Sequence, residues 1–165
     1  MIHQVVIQPM DRMLSALSKI LEKAEAHCTE KKIDPQVLLG FRLYPDMLAF
    51  TTQVQLACDF STRAASRLAG DELKSFPDTE KTFPELRARI AKAREHLASF
   101  PAERFDGAAD RAITLKLRGE DTTMPGVTFA TMFSLPQVYF HAATAYDILR
   151  HNGVVLGKLD FMGAA

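Results

Sequence analysis

The chain has 165 residues, of which 47% are hydrophobic and 24% are charged, and its 20 basic and 20 acidic residues cancel. This length predicts a single domain over residues 1–165, because compact domains run to about 100–200 residues. Intrinsic disorder requires low hydrophobicity and high net charge, so that class is excluded. A nucleic-acid-binding domain usually carries a basic excess, and the zero net charge argues against nucleic acid as a partner.

The N-terminal segment and the two cysteines bear on the compartment. The apolar run Val5–Ile7 is far shorter than the roughly 7–15 residues of a secretory signal. No stretch approaches the roughly 18 apolar residues of a membrane span. Cys28 and Cys58 fall on apolar helix stripes, which favours free buried thiols, although the sequence leaves a disulfide between them open. We therefore expect a cytoplasmic protein with no membrane partner.

Helical periodicity dominates the first half of the chain. A stripe with steps of four and three predicts a first long helix from about residue 5 to residue 30, and it comprises Met10, Leu14, Leu17, Leu21, Ala24 and Cys28. Asp34-Pro35 then predicts a short helix, with an N-cap followed by the proline favoured at the first helical position. Asp46 is predicted to cap the second long helix, and Gly70 to end it.

The segment Asp71–Lys81 is predicted to be a loop, and the third long helix follows it. Thr82 and Glu85 have the spacing of a capping box, in which the hydroxyl and the carboxylate each bond to the other residue's amide. We expect this helix to end near Phe100-Pro101. Its basic residues are Arg87, Arg89, Lys92 and Arg94. Because no aromatic residues alternate with them, they predict a solvated helix face.

Helical periodicity breaks between residue 101 and about residue 132. Ile113, Leu115 and Leu117 alternate with polar residues, a period of two that predicts a short strand. We expect a turn at Gly119–Asp121 and a poorly formed partner strand within Thr123–Phe129. The sequence therefore predicts a small hairpin or an extended excursion between the third and fourth long helices.

The fourth long helix is predicted to start around Leu135-Pro136 and to stop at Asn152-Gly153. On a helical wheel His141 lies about 60 degrees from Val138, at the edge of the apolar sector. Four long helices with one short excursion predict an all-α, up-down four-helix bundle.

The five histidines form no metal motif within any one helix. A helix presents two ligands on one face only at i and i+3 or i+4, and those positions after His141 hold Thr144 and Ala145. His151 lies ten residues further along and cannot share an ion with His141. His141 is therefore either a core-edge histidine bonded to a neighbour or a proton shuttle or ligand anchor.

The C-terminal part of the chain carries a dense signature that resembles a known family. It comprises Leu135-Pro136-Gln137-Val138-Tyr139-Phe140-His141, Thr144-Ala145-Tyr146, Ile148-Leu149-Arg150-His151-Asn152-Gly153-Val154, Gly157-Lys158 and Asp160-Phe161. Similar segments upstream are Tyr44-Pro45-Asp46-Met47, Gln53-Val54-Gln55 and Arg67-Leu68-Ala69-Gly70. Together they resemble an uncharacterised bacterial domain of unknown function, which is grouped with the DinB/YfiT-like superfamily of proposed metalloenzymes. The resemblance covers nearly the whole chain and implies a DinB/YfiT-like four-helix bundle.

The resemblance also implies where a metal site would lie. Metal-binding DinB-like proteins use a histidine on the second long helix and an HxxxH pair on the fourth, and His141 stands at the first position of that pair. The second position is Ala145, and the second long helix offers Gln53 and Gln55 but no histidine. Glutamine is a poor substitute for imidazole on nickel or zinc, so we expect no metal, with a divalent ion as the alternative.

Two functional hypotheses follow. The first is a metal-free protein that binds a small molecule or a partner through a pocket near His141, with Tyr44, Gln53 and Tyr146 as further ligand-binding residues. The second is a cryptic enzyme of the superfamily's hydrolase or thiol-transferase type. In that enzyme His141 is the catalytic candidate, as a general acid–base or as a remnant metal ligand. Small-residue and aromatic helix flanks further predict a homodimer.

Overall fold

Four helices of 16 to 24 residues account for nearly half of the chain in the computed structural model, which describes residues 1–164. The α-helices and strands are α1 (Gln8–Lys31), α2 (Pro35–Leu39), α3 (Phe50–Ala69), α4 (Phe83–Ala98), β1 (Ala112–Leu117), β2 (Glu120–Pro125), α5 (Gly126–Thr128), α6 (Leu135–His151) and α7 (Lys158–Phe161). Two π-helical turns, His3–Ile7 and Phe129–Ser134, precede α1 and α6, and a 3-10 turn spans Ala102–Phe105. Within residues 1–164, no helix combines the length and the apolar character that crossing a membrane requires.

The four long helices share one apolar core. α3 packs against α6 on one side and α4 on the other, and α1 contacts α4, α6 and α3. Fully buried apolar side chains from all four include Leu14, Leu17, Leu21, Val54, Ala65, Leu68, Leu86, Ile90, Ala142 and Leu149. Cys28 and Cys58 are buried and free, as predicted. The protein is thus predominantly helical, with one small antiparallel sheet.

Several helix ends follow local sequence signals. The Asp34 side chain accepts a hydrogen bond from the Gln36 amide at 3.0 Å, which confirms the predicted cap of α2. Gly70 ends α3 with a φ of 70°, a left-handed conformation that glycine adopts without steric cost. The Thr82 hydroxyl accepts from the Glu85 amide at 3.3 Å, but the Glu85 carboxylate accepts from the Lys81 amide rather than from that of Thr82.

The predicted start of the second long helix is wrong. α3 begins at Phe50 after Ala49, whose side chain makes no capping bond. Asp46 lies instead in a turn in which the Met47 amide donates to the Tyr44 carbonyl at 2.9 Å. A proline followed by aspartate suits a turn as well as a helix start, and here the turn forms.

The hairpin forms, but its second strand differs from the prediction. β1 pairs antiparallel with β2 from Ala112 opposite Pro125 to Leu117 opposite Glu120. Arg118 and Gly119, with φ of 52° and 89°, make the connection, because two-residue hairpin turns require positive φ. Glu120 and Asp121 are therefore strand residues, and the chain is already helical from Gly126. Gly126 permits this change, because a Cβ there would lie 1.9 Å from the Ala108 carbonyl oxygen.

The last long helix also begins earlier than predicted. The chain is helical from Gly126, through the π-helical turn Phe129–Ser134, into α6. Pro136 resembles a helix start in the sequence, yet it lies inside this continuous helical segment. A proline cannot donate to the carbonyl four residues earlier and clashes with it, and a π-helical turn displaces that carbonyl. The same arrangement occurs at Pro9, which follows the π-helical turn His3–Ile7.

Lys92 of α4 is exposed as predicted, but the three arginines of the predicted solvated face form ion pairs instead. Arg87 bridges to Glu22 and Glu25 of α1 at 3.1 and 3.0 Å. Arg94 binds Asp11 at 2.7 Å, and Arg89 is only 2% exposed. The charges of this helix therefore tie α4 to its neighbours.

Candidate functional site

A buried histidine–glutamine pair joins α3 to α6. The Nδ1 atom of His141 lies 2.7 Å from the Oε1 atom of Gln53. His141 is 6% exposed and Gln53 is 2% exposed, although both positions lie off the most apolar stripe of their helices. They are buried because α3 and α6 pack directly together. Buried polar side chains are stabilised only when they are hydrogen-bonded, and this pair meets that requirement.

The amide of Gln53 fixes the tautomer of His141. The Nε2 atom of Gln53 donates to the Leu48 carbonyl at 3.1 Å, so its Oε1 atom is the acceptor for the imidazole. Nδ1 of His141 therefore carries the proton and donates it. This leaves a lone pair on Nε2 of His141, which makes no hydrogen bond within residues 1–164. The only enclosed, unpartnered side-chain atoms there are the Nε atoms of Arg87 and Arg89, so Nε2 of His141 is not fully enclosed.

The surroundings of His141 keep it uncharged. Burial lowers its pKa below the ordinary value of 6.5. Its ring stacks on Phe60 with 5.5 Å between centroids and 9° between planes, and Phe140 lies edge-on at 5.2 Å. A neutral imidazole with one fixed N–H and one open lone pair can accept a hydrogen bond or a proton.

The other predicted site residues lie elsewhere. Tyr44 is 66% exposed in the turn before α3. Tyr146 packs edge-on against Phe161 of α7, with 5.9 Å between centroids. The structure thus brings Gln53 and His141 together, and within residues 1–164 neither tyrosine bonds to that pair. The ligand-binding role of all four residues stays a prediction.

The residues around His141 do not fit a metal ion. Within the described part of the chain, no group of three histidine, cysteine, aspartate or glutamate side chains could hold one. Within residues 1–164, the hydrogen-bond and ring partners of His141 are an amide and two phenylalanines, none of which is a preferred ligand for nickel or zinc. His96 bonds to Ser66 at 3.0 Å, and His151 packs against Phe41. We therefore derive no chemistry through a metal.

A second buried polar cluster, which the sequence did not predict, surrounds Arg89. Its guanidinium binds Asp59 of α3 at 2.6 Å, and Asp78 and Glu80 of the 71–81 loop at 2.9 and 3.1 Å. It also donates to the Pro77 carbonyl at 3.0 Å. The Gln55 amide donates to Glu80 at 2.9 Å, so Gln55 is buried here and not on an exposed flank.

The charges of the Arg89 cluster are firmly held. Burial acts to lower the pKa of Arg89, but its hydrogen bonds to Asp59 and Glu80 outweigh burial and raise it. Burial likewise acts to raise the pKa of Glu80, and the bonds from Gln55 and Arg89 lower it instead. Burial raises the pKa of the neighbouring Cys58 thiol to about 12, so that thiol is unreactive. The cluster fastens the 71–81 loop to α3 and α4.

One spacing in the sequence pointed to the burial of Arg89. Arg89 follows Leu86 by three residues and precedes Ala93 by four, so it lies on the apolar stripe of α4. Its neighbours Arg87 and Lys92 lie off that stripe. Because all three residues are basic, the position of Arg89 on the apolar stripe was not distinguished from theirs.

Comparisons with known proteins agree with this fold. The family model described as "Domain of unknown function (DUF1993)" matches residues 2–162. The crystal structure of a DinB family member protein from Shewanella denitrificans is similar, with a TM-score of 0.94 and 39% sequence identity. The match covers 100% of this chain and 93% of that one. No curated protein matches the chain significantly.

Proposed function

The chain belongs to the DUF1993 family of DinB-like proteins, and we propose that it binds a small molecule at His141 without a metal ion. The observation that carries the proposal is the open Nε2 atom of His141. The rest of the imidazole is buried and its other nitrogen is fixed by Gln53. A histidine that only filled the core would have no reason to present a lone pair beside exposed Phe140.

Because the tautomer of His141 is fixed, the site is suited to a ligand that donates a hydrogen bond. The Leu48 carbonyl orients the Gln53 amide, and that amide orients the imidazole. Because both bonds form without ligand, a donor on the ligand meets an acceptor that is already in place. Phe60 and Phe140 flank the imidazole and offer apolar surface to the rest of the molecule.

The test is a ligand screen read at the histidine rings by NMR. The full chain is titrated with a library of small hydrogen-bond donors, such as alcohols, amides and amines, and the His141 ring resonances are followed. We expect at least one class to shift the His141 signals and to lose affinity by about tenfold in His141→Gln. Elemental analysis after soaking with nickel, zinc and manganese accompanies the screen, and we expect no bound metal.

His151 is a matched control because it is an exposed histidine at the end of the same helix. Its resonances are expected to stay unchanged with any ligand that binds at His141, and His151→Gln is expected to bind like the unmodified chain. If no compound shifts His141 more than His151, the proposal is wrong. Stoichiometric metal that disappears in His141→Ala would also overturn it.

A second candidate is an enzyme in which His141 is a general base. The fixed N–H on Nδ1 and the lone pair on Nε2 favour this candidate, because a base needs its lone pair aimed at the substrate. Any turnover found with a library of esters, amides and thiols would then fall by about 100-fold or more in His141→Gln. Its pH profile would show an ionisation below 6.5, the direction in which burial moves the pKa of His141.

Three further properties belong to the proposal. The four long helices α1, α3, α4 and α6 are proposed to form an up-down bundle of the DinB type. The protein is proposed to be a cytoplasmic homodimer, which the exposed apolar side chains Met132 (76%) and Phe140 (56%), the latter edge-on to His141, support. Light scattering at micromolar concentration is expected to give twice the chain's mass, and a monomer mass would contradict this.

A further inference from the structure

A cavity lies further along α3 from the Gln53–His141 pair, beyond Phe60. Its volume is about 300 Å³, which suits a small organic molecule. α3, the first strand of the hairpin and the π-helical turn before α6 form its walls. The lining residues are Phe60, Arg63, Ala64, Arg67, Leu115, Lys116, Phe129, Phe133 and Ser134.

Three cationic side chains line this cavity, and two have no partner within residues 1–164. Arg63 binds Asp59 at 3.0 Å, but Asp59 also serves Arg89. Arg67 and Lys116 make no side-chain hydrogen bond or ion pair in this described part, although Asp121 lies directly opposite Lys116 in the hairpin. Burial and the nearby charge of Arg63 lower the pKa of Arg67. Arg67 therefore lies near a like charge and has no anion of its own within the described residues, an arrangement that an anionic ligand would stabilise.

Ser134 adds a polar group to the same cavity. It is 1% exposed, yet its hydroxyl makes no hydrogen bond within residues 1–164. Nearby Thr131 and Thr144 donate back to the carbonyls of their own helix, as hydroxyls in helices commonly do. The Ser134 hydroxyl is not among the enclosed atoms without a partner, so it faces the cavity space.

Aromatic rings form the apolar wall. Phe129 stacks on Phe133 at 5.9 Å, and Phe133 meets Phe60 edge-on at 6.4 Å. Phe60 in turn stacks on His141, so three phenylalanine rings lead from the cavity to the histidine. Flat apolar walls beside two guanidinium groups suit a ring that carries an oxyanion, because guanidinium binds carboxylate and phosphate through paired hydrogen bonds.

We propose that this cavity binds a small aromatic oxyanion, with Arg67, Arg63 and Lys116 around the anionic group and Ser134 as a hydrogen-bond donor. The aromatic body of the ligand packs against Phe60, Phe129 and Phe133. The chain as a whole has no net charge, so the local positive charge is a property of this cavity and not of the protein surface in general. The inference goes beyond the proposed function, because it does not require His141.

Isothermal titration calorimetry with benzoate, phenyl phosphate and benzyl alcohol tests the proposal. We expect both anions to bind with Kd of about 1 mM or tighter at low salt, and the neutral alcohol to bind at least about tenfold more weakly. Affinity should fall as salt is added, because counterions compete for the arginines. The tighter of the two anions identifies carboxylate or phosphate as the preferred headgroup.

Two variants assign the binding to this cavity. Arg67→Met retains an unbranched apolar stem and is expected to weaken anion binding by about tenfold or more, and Ser134→Ala by about fivefold. Arg150→Met is the matched control, because it removes one charge from an exposed position of α6, and its affinity should stay within about twofold.

The proposal has a second readout that needs no ligand. Because Arg67 repels Arg63, Arg67→Met is expected to melt at the same or a higher temperature than the unmodified chain at low salt. Loss of binding in this variant therefore cannot be attributed to unfolding. The proposal is wrong if neither anion binds at about 10 mM, or if Arg67→Met and Arg150→Met weaken binding equally.

Discussion

Buried polar groups differ in how completely they are bonded on the two sides of α3. Towards α4, Asp59 meets Arg89, and the surrounding loop supplies two more carboxylates and a carbonyl. Towards α6, Gln53 bonds to His141, whose second nitrogen stays open, and about four turns further along Arg67 has no anion within the described chain. One helix thus carries a closed polar cluster on one side and an open one on the other.

This difference separates stability from binding. A buried charge whose carboxylates are supplied by the protein, as at Arg89, where the Nε atom alone lacks a partner, fixes a loop and offers little to a ligand. A polar group left with a free lone pair or an uncompensated charge costs stability unless something outside the protein completes it. A ligand is therefore expected on the side of α3 that faces α6. Variants that remove Arg89 from its cluster, or change the partner of His141, test this difference.

The largest effect is expected from opening the closed side with Arg89→Met. This change leaves Asp59 and Glu80 buried without their cation and should lower the free energy of unfolding by about 3–5 kcal/mol. Urea denaturation measures it. Arg87→Met on the same helix is the control, because its pairs with α1 are more exposed and should be worth less than about 1 kcal/mol. Similar losses in both variants would contradict the picture of a closed cluster.

A smaller effect is expected from removing the amide that orients the histidine. Gln53→Leu leaves the His141 N–H and the Leu48 carbonyl without partners, so the free energy of unfolding should fall by about 1–3 kcal/mol. Gln36→Leu provides a control, since its amide bonds to the Lys81 carbonyl at an exposed position and should cost little. Ligand binding at His141 should weaken in the first variant only.

Gln53→Glu changes the open side by replacing the amide partner of His141 Nδ1 with a carboxylate. The carboxylate should raise the pKa of His141 from below its ordinary value towards or above that value, because it stabilises the imidazolium. An NMR titration of the ring protons measures this directly. The ring signals of His151 should be the same in the variant and in the unmodified chain. An unchanged His141 pKa would mean that the introduced carboxylate does not occupy the position of the glutamine amide.

The smallest effect is the pH dependence of stability. Because burial lowers the pKa of His141 in the folded protein, the unfolded chain takes up the proton first. Stability is therefore lost as pH falls from about 6.5 towards the folded pKa, and His141→Gln should reduce that loss. Part of this loss of stability should remain in His141→Gln, because burial lowers the pKa of His96 as well. Thermal melts between about pH 7.5 and pH 5 compare the unmodified chain with His141→Gln. If stability depends on pH equally steeply in both, the burial of a neutral imidazole is contradicted.

Local signals predicted the elements that depend on a few neighbouring residues. The cap at Asp34, the cap at Thr82 and the stop at Gly70 each require only a side chain or a backbone conformation within one turn. The start of α3 failed, because Asp46 suits a turn and a cap equally and only the packing of Phe50 decides between them. The start of the last helix failed because a proline that follows a π-helical turn has the sequence of a helix start.

The candidate sites depend on contacts that one-dimensional periodicity does not contain. Gln53 and His141 are 88 positions apart, and only the resemblance to DinB-like proteins placed both near one site. The cavity beside Arg67 needs α3, the hairpin and the π-helical turn together. The burial of Arg89 could have been found from its spacing to Leu86 and Ala93, but its carboxylate partners come from another helix and a loop.

The π-helical turn Phe129–Ser134 has a consequence for insertions and deletions in this part of the chain. A π-helical turn holds an extra residue, so deleting one residue within it would restore α-helical geometry. Because the turn takes up the extra residue, the segments on either side of the deletion would keep nearly the same orientation around the helix axis. In a regular α-helix, the same deletion would rotate everything before it by about 100 degrees relative to His141. The turn is thus the place in this segment where the loss of one residue is expected to leave both the hairpin and the contact between His141 and Gln53 in position.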